Sequence, residues 1–247
     1  MIETFLTAYE ERKEELKEFI EVMEFFEKKE KSRIESGQSE FDQFFHGIDG
    51  IGFSYQQLIN ILKSSASLMV YSIIEFTVSN LVQSIYDEIK VQGLSYLEVS
   101  ESIRKIWREA LLKKAANDPN ASFNTFLKKH EAIIQDILCC KILQVTSRQT
   151  LPGGNLDGEA IKHTFAAHGI KIYTGSENFR PDLLESIKNN RNNLAHGSVS
   201  FVEAMSQNGI DDIKKTAVKV LLFLDELVDL VKEYIKTQQY KTEEKSY

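Results

Sequence analysis

Pro181-Asp182-Leu183-Leu184-Glu185-Ser186-Ile187-Lys188-Asn189-Asn190-Arg191-Asn192-Asn193-Leu194-Ala195-His196-Gly197 reads as one helix with both of its ends marked. Pro181 suits the first turn, where its missing N–H leaves no bond unmade, and Asp182 and Glu185 favour the positive end of a helix. Gly197 is the residue expected just past a helix C-terminus. Leu183, Leu184, Ile187 and Leu194 form an inward stripe. Arg191 follows Ile187 by four and Leu184 by seven, so it continues that stripe instead of joining the solvated face. His196 stands five residues on, roughly 140° around and about 7.5 Å along an ideal helix. It falls in the last turn, where the end of the helix can turn its ring toward the same groove.

Outward from this helix the same period continues. Ser200-Phe201-Val202-Glu203 is a capping box that starts a new helix after the His196 turn. Ile213, Ala217, Val220, Leu224, Leu227, Val231 and Tyr234 recur at three- and four-residue steps near the end of the chain. Near its start Phe5, Tyr9, Leu16, Phe19, Met23 and Phe26 do the same, with Arg12 filling the one missing slot. Both stretches predict long amphipathic helices packed into a bundle or an oligomer seam. A third helix is expected from Tyr55 to Val91, and another over about Ser122 to Ser147, set off by Asp118-Pro119. Leu151-Pro152-Gly153-Gly154-Asn155 is a turn signal, and Gly37 to Ser54 reads as the main loop. Strand-like alternation is absent. The expectation is an all-α bundle of about six to eight helices. Residues 1–54 would form an N-terminal helix and Gly-rich loop packing on the core, 55–240 a helical domain, and 241–247 a disordered tail.

Composition bounds the function. The chain has 247 residues, 42% of them hydrophobic, enough to bury a sizeable core. Cys139 and Cys140 are adjacent in an apolar stretch, with no disulfide framework; they are expected to be buried, inert thiols in a reducing cytoplasm. The acidic start Met1-Ile2-Glu3-Thr4-Phe5 precedes no apolar run, so no signal peptide is expected. Lys63 and Glu75, with many Ser residues, interrupt the Tyr55–Val91 helix, which reads as a core helix and not a membrane span. A net charge of −7 argues against non-specific coating of nucleic acid. A nuclease needs positive potential only in its cleft, and Lys188, Arg191 and Arg180 could supply it there.

Arg191 and His196 carry the chemistry. A guanidinium can clamp a phosphate and an imidazole can move a proton. The alternative reading has Arg191 capping carbonyls or pairing with a core Glu, and His196 answering the helix dipole. Glu75 lies among Val70, Ile73, Ile74, Phe76 and Val78; it either pairs with an Arg of a neighbouring helix, Arg191 included, or borders the groove and orients Arg191. His163 and His168 lack the flanking acidic or Cys residues of a metal site, and His46 and His130 stand alone. Trp107 reads as core or interface.

The stretch Arg191-Asn192-Asn193-Leu194-Ala195-His196-Gly197 resembles the signature of the HEPN superfamily (higher eukaryote and prokaryote nucleotide-binding domains): Arg, a polar residue, three variable residues, His. The long helix Leu62 to Val78, and Gly154-Asn155-Leu156-Asp157 leading into a short helix that ends at His168-Gly169-Ile170, resemble a bacterial subgroup first defined from cyanobacterial proteins. The resemblance covers roughly residues 55 to 235. It implies a helical, metal-independent endoribonuclease that acts as a homodimer without a cofactor, in a defence or toxin–antitoxin setting, with an operon-encoded antitoxin or nuclease partner. Arg191, His196 and Asn192 would be its catalytic residues. Lys188, Glu75 and Ser198 stand as supporting or substrate-binding candidates. In the branch silenced by nucleotidylation a Tyr stands two residues after the His; here Ser198 occupies that place, so that silencing is not expected.

RNA carries its own nucleophile, the 2′-hydroxyl. His196 would move protons, Arg191 would hold two phosphate oxygens, and Asn192 would orient the imidazole or a phosphate oxygen. One imidazole cannot easily act on both sides of phosphorus, which favours a composite site across a two-fold axis. The alternatives are a non-catalytic RNA-binding or assembly subunit, in which the pair only grips phosphate, and a regulatory partner in a defence operon.

Overall fold

The computed structural model describes residues 2–36, 54–116, 123–153 and 155–242. Among them the chain is helical, with no strand beyond two isolated bridges, Ser95 to Ile142 and Val99 to Lys241. The helices are α1 (Ile2–Ser36), α2 (Tyr55–Val91), α3 (Glu101–Ala116), α4 (Phe123–Leu138), α5 (Ser147–Thr150), α6 (Gly158–Ala167), α7 (Pro181–Ala195), α8 (Phe201–Ala204) and α9 (Ile210–Lys236). Two of these, α5 and α8, are single turns. The Gly-rich loop expected over residues 37–54 lies outside the described residues up to position 53, as does the Asp118-Pro119 break.

The chain forms two compact units. The second comprises Leu6–Phe76 and Glu177–Phe223. Its core includes Met23 of α1, Ile59 and Ala66 of α2, and Met205, Ile210 and Ile213, with Phe19, Phe26 and Leu62 packed against them. Lys214 of α9 reaches Glu24 of α1 at 2.6 Å. The amine of Lys63 donates to the Asn208 carbonyl and the hydroxyl of Ser64 to the Phe201 carbonyl, both at 2.7 Å. Two polar side chains of α2 thereby fix the loop that follows α7.

The first unit comprises Met1–Phe5, Thr77–Ser176 and Leu224–Tyr247. Ile85, Ile89, Val99, Ile103, Phe165, Leu227 and Val231 fill its core, and Trp107 is buried there as expected. Asp157 caps α6 by accepting from the Ala160 N–H at 2.9 Å. Gly169 closes that helix with φ of +86°. Backbone pairing runs on to Thr242, whose N–H donates to the Glu98 carbonyl, so Lys241 and Thr242 are held where the tail was expected to begin. Residues 243–247 lie outside the described residues.

The seven apolar positions of the expected C-terminal stripe are all buried in α9. In α1, Phe5, Tyr9, Leu16 and Met23 are buried. Arg12 is half-buried, its guanidinium 4.1 Å from the centre of the Phe76 ring. The 37-residue α2 starts and stops where its pattern predicts. It is long and apolar enough to cross a membrane, and 56% of its most apolar window is buried inside the protein, as in a core helix.

The expected helix over about Ser122 to Ser147 stops at Leu138. Cys140 turns left-handed there, with φ of +47°. The Lys141 N–H reaches the Asp136 carbonyl and the Cys140 N–H the Ile137 carbonyl, the bond pattern of a closed helix end. Both cysteines are exposed, which corrects the expectation of buried thiols. A helix that ends at Leu138 has no further turn to carry them inward.

Candidate functional site

The site is built in the second unit on the last turn of α7. Leu184, Ile187 and Leu194 are buried, which fixes the rotation of the helix about its axis. His196 is the C-cap and Gly197 follows with φ of +67°. The Ser198 N–H donates to the Asn193 carbonyl and the Gly197 N–H to the Leu194 carbonyl, a Schellman closure. No heavy atom lies within 4 Å of where a Cβ on Gly197 would stand. Its glycine is therefore required by backbone angle alone.

Arg191 is half-buried, as a cation on an inward stripe must be when it has a polar or aromatic seat. Its guanidinium lies 5.2 Å from the centre of the Tyr71 ring of α2. One of its amino groups donates to Asn192 Oδ1 at 3.1 Å. The Tyr71 hydroxyl donates to Glu75 Oε1 at 3.2 Å. Glu75 is half-buried, and its bond is to Tyr71 of its own helix. Of the two roles expected for it, a direct ion pair with an Arg does not occur among the described residues. The link to Arg191 runs through the tyrosine ring.

The other candidates fall around this pair. His196 is exposed at the helix end, with its ring open to solvent. Ser198 is exposed two residues on. Lys188, half-buried, stands one turn before Arg191 on α7. Asn192 is half-buried, and its Oδ1 accepts from the Arg191 guanidinium. Arg180 is corrected. It is the N-cap residue of α7 and makes a forked pair with Asp182, at 2.9 and 2.5 Å. The 15 residues of α7 lie between it and His196, about 24 Å at the rise of an ideal helix. It cannot supply potential at the motif.

Tyr71 is the residue that the sequence reading did not single out. Its one local signal is the four-residue spacing to Glu75, which puts a phenol and a carboxylate on one face of α2. That the ring also receives a guanidinium from α7 depends on how two helices distant in sequence pack.

Elsewhere, His163 is exposed beside Glu159, and His168 is buried in the first unit. The His168 Nδ1 lies 2.7 Å from the Thr164 carbonyl, which can only accept, so Nδ1 carries the proton. Its Nε2 then accepts from the Tyr86 hydroxyl at 2.7 Å. Burial pushes this imidazole below its ordinary pKa and the Tyr86 phenol above its own. A cavity of about 780 Å³ in the same unit is lined by Tyr86, Tyr96, Trp107 and Leu143 among others, and by none of the candidate site residues. Among the described residues no group of three or more His, Cys, Asp or Glu is arranged to hold a metal ion.

Fold and motif together define an all-α protein that carries a half-buried Arg191 and an exposed His196 at the C-terminal end of one helix. The chain belongs to the family described as HEPN_MAE_28990-like HEPN, whose model matches residues 1–240. The match takes in α1, which lies before the stretch from residue 55 where the resemblance was first legible. HEPN domains are often ribonucleases, and the family points to RNA-related or nuclease function in general. No curated protein and no solved structure matches the chain.

Proposed function

We propose that this chain is a metal-independent endoribonuclease that cleaves RNA at the Arg191–His196 end of α7. The observation that carries this reading is the seat of Arg191. Its contacts among the described residues are an aromatic ring and a neutral amide oxygen, and no carboxylate pairs with it. A guanidinium held in place by neutral groups keeps its whole charge for a phosphate. In the proposed step His196 takes the 2′-hydroxyl proton, and that oxygen attacks phosphorus. The bond to the 5′-oxygen breaks, and a second imidazole gives the leaving oxygen a proton. Arg191 stabilises the added charge of the pentavalent transition state. The products are a 2′,3′-cyclic phosphate and a 5′-hydroxyl.

The second imidazole comes from another copy. Two α7 ends, each beside the Tyr71–Glu75 stretch of α2, face across a two-fold axis and form one cleft in a homodimer. The proposed setting is a cytoplasmic defence or toxin–antitoxin system, with RNA as substrate and an operon-encoded antitoxin or nuclease as partner. The net charge of −7 fits an enzyme guided to a particular RNA by shape or partner. Sequencing of 5′-hydroxyl RNA ends after induced expression tests the reading. New ends are expected with the wild type and not with Arg191→Ala. Identical ends in both would overturn it.

A further inference from the structure

The cavity of about 780 Å³ lies within the first unit, away from every residue assigned above. Its size is that of sites for small molecules, which are mostly apolar with a few placed polar groups. Its aromatic wall is Trp107 of α3 and Tyr96, whose ring centres stand 5.4 Å apart. Tyr96 is fixed in place: Arg104 and Arg108 flank its ring, and Arg108 donates to its hydroxyl. Trp107 is only 5% exposed, and a buried indole N–H ordinarily has an acceptor. This one donates to no group among the described residues, and unlike the Arg12 Nε it is not sealed from water. The cavity is the opening that its ring borders.

Four charged side chains among the described residues line the cavity, two of each sign. Lys141 and Asp136 pair at 2.5 Å, which leaves Asp87 and Lys90 of α2. Those two stand three residues apart on the cavity face of the helix and do not pair with each other. Asp87 is half-buried and accepts from the neutral amide of Gln83 at 2.9 Å; the exposed Lys90 amine has no partner among the described residues. At this spacing Cβ atoms are about 5–6 Å apart, within reach of both charged ends of one small molecule. We infer that the cavity binds a zwitterion of amino-acid type, a free amino acid or a dipeptide, with an aromatic or large apolar side chain. Its ammonium meets Asp87, its carboxylate meets Lys90, and its side chain lies against Trp107 and Tyr96. A nucleotide phosphate would meet one unpaired cation and two carboxylates, and a simple amine would leave Lys90 unanswered. The site is independent of whether Arg191 and His196 are catalytic.

Trp107 is the one tryptophan of the chain, so its fluorescence reports on the cavity directly. Titration of the full chain with phenylalanine and with leucyl-phenylalanine tests the inference and separates amino acid from dipeptide. At least one should give a saturable change at millimolar concentration or below. Blocking the better ligand, by acetylating its amine or amidating its carboxyl, should weaken binding roughly tenfold or more in each case. Lys90→Met should weaken the zwitterion by a similar factor and leave amidation with little further effect; Asp87→Asn should do the same for acetylation. Neither side chain belongs to the core, so helicity should persist in both variants. No saturable change with either zwitterion would overturn the inference. So would blocked forms that bind as well as the zwitterion, or binding that both substitutions leave unchanged. Saturation by adenosine monophosphate, with no response to either zwitterion, would make the cavity a nucleotide site and overturn it too.

Discussion

Arg191 rests its guanidinium on the ring of Tyr71, 5.2 Å from centroid to central carbon. The cation is partly withdrawn from water there, with no carboxylate to neutralise it, and the ring face compensates for the lost hydration. Glu75 acts on it at one remove, by accepting the phenol proton of the same ring. The three residues make a cation that is fixed in place and still electrically available.

The ring, more than the hydroxyl, should therefore matter. Tyr71→Phe keeps the platform and should leave RNA cleavage within about tenfold of wild type. Tyr71→Ala empties a buried site and should cost about 3–5 kcal/mol of stability in urea unfolding, with loss of cleavage in the fraction that stays folded. Equal activity in the two variants would remove the ring from the account.

Asn192 should behave as a holder of Arg191. Asn192→Ala should lower cleavage modestly. Asn192→Asp places a carboxylate where the amide oxygen accepts from Arg191, neutralises the guanidinium, and should lower cleavage more than Ala does, with thermal stability unchanged. If Asp is better tolerated than Ala, the site does not depend on a free positive charge.

Much of this was legible from sequence because its signals are local. The limits of α2 and α7 follow from their periodicity and end residues. The capping box is present as read, with Ser200 accepting from the Glu203 N–H and the Glu203 carboxylate answering the Ser200 N–H. Gly197 is placed by the backbone angle of the helix end. What failed was what depends on partners distant in sequence, or on ends that carry no glycine. Cys140 ends α4 left-handed without one, so the apolar run looked longer than the helix. Arg180 turned to Asp182 two residues on, a choice that periodicity does not record. Tyr71 gained its role only when α2 and α7 met.

The buried His168 gives a pH prediction. Above the ordinary value of about 6.5 the ring is neutral in both folded and unfolded chains, so it adds no pH dependence. Below that value the unfolded chain binds a proton that the folded one resists, because burial depresses the folded pKa. Its contribution is thus complete above about 6.5 and is lost as pH falls toward the depressed value, by up to about 1.4 kcal/mol per pH unit. Urea midpoints between pH 7.5 and 5.5 should fall more steeply for wild type than for His168→Gln. An NMR titration with His168 at its ordinary pKa would contradict this.

A shared cleft makes one defective subunit costly to its partner. If each cleavage needs an imidazole from both copies, wild type mixed one-to-one with His196→Ala and allowed to exchange should show, per unit of total protein, about a quarter of the all-wild-type activity, the share of dimers with two intact copies. A decline to one half would mean that each copy works alone.

The central claim is tested most directly by purified protein acting on RNA in excess EDTA. The account predicts cleavage with 2′,3′-cyclic phosphate and 5′-hydroxyl ends, abolished in His196→Ala at unchanged dimer mass and helicity. Undiminished cleavage by His196→Ala, with the same product ends, would contradict it.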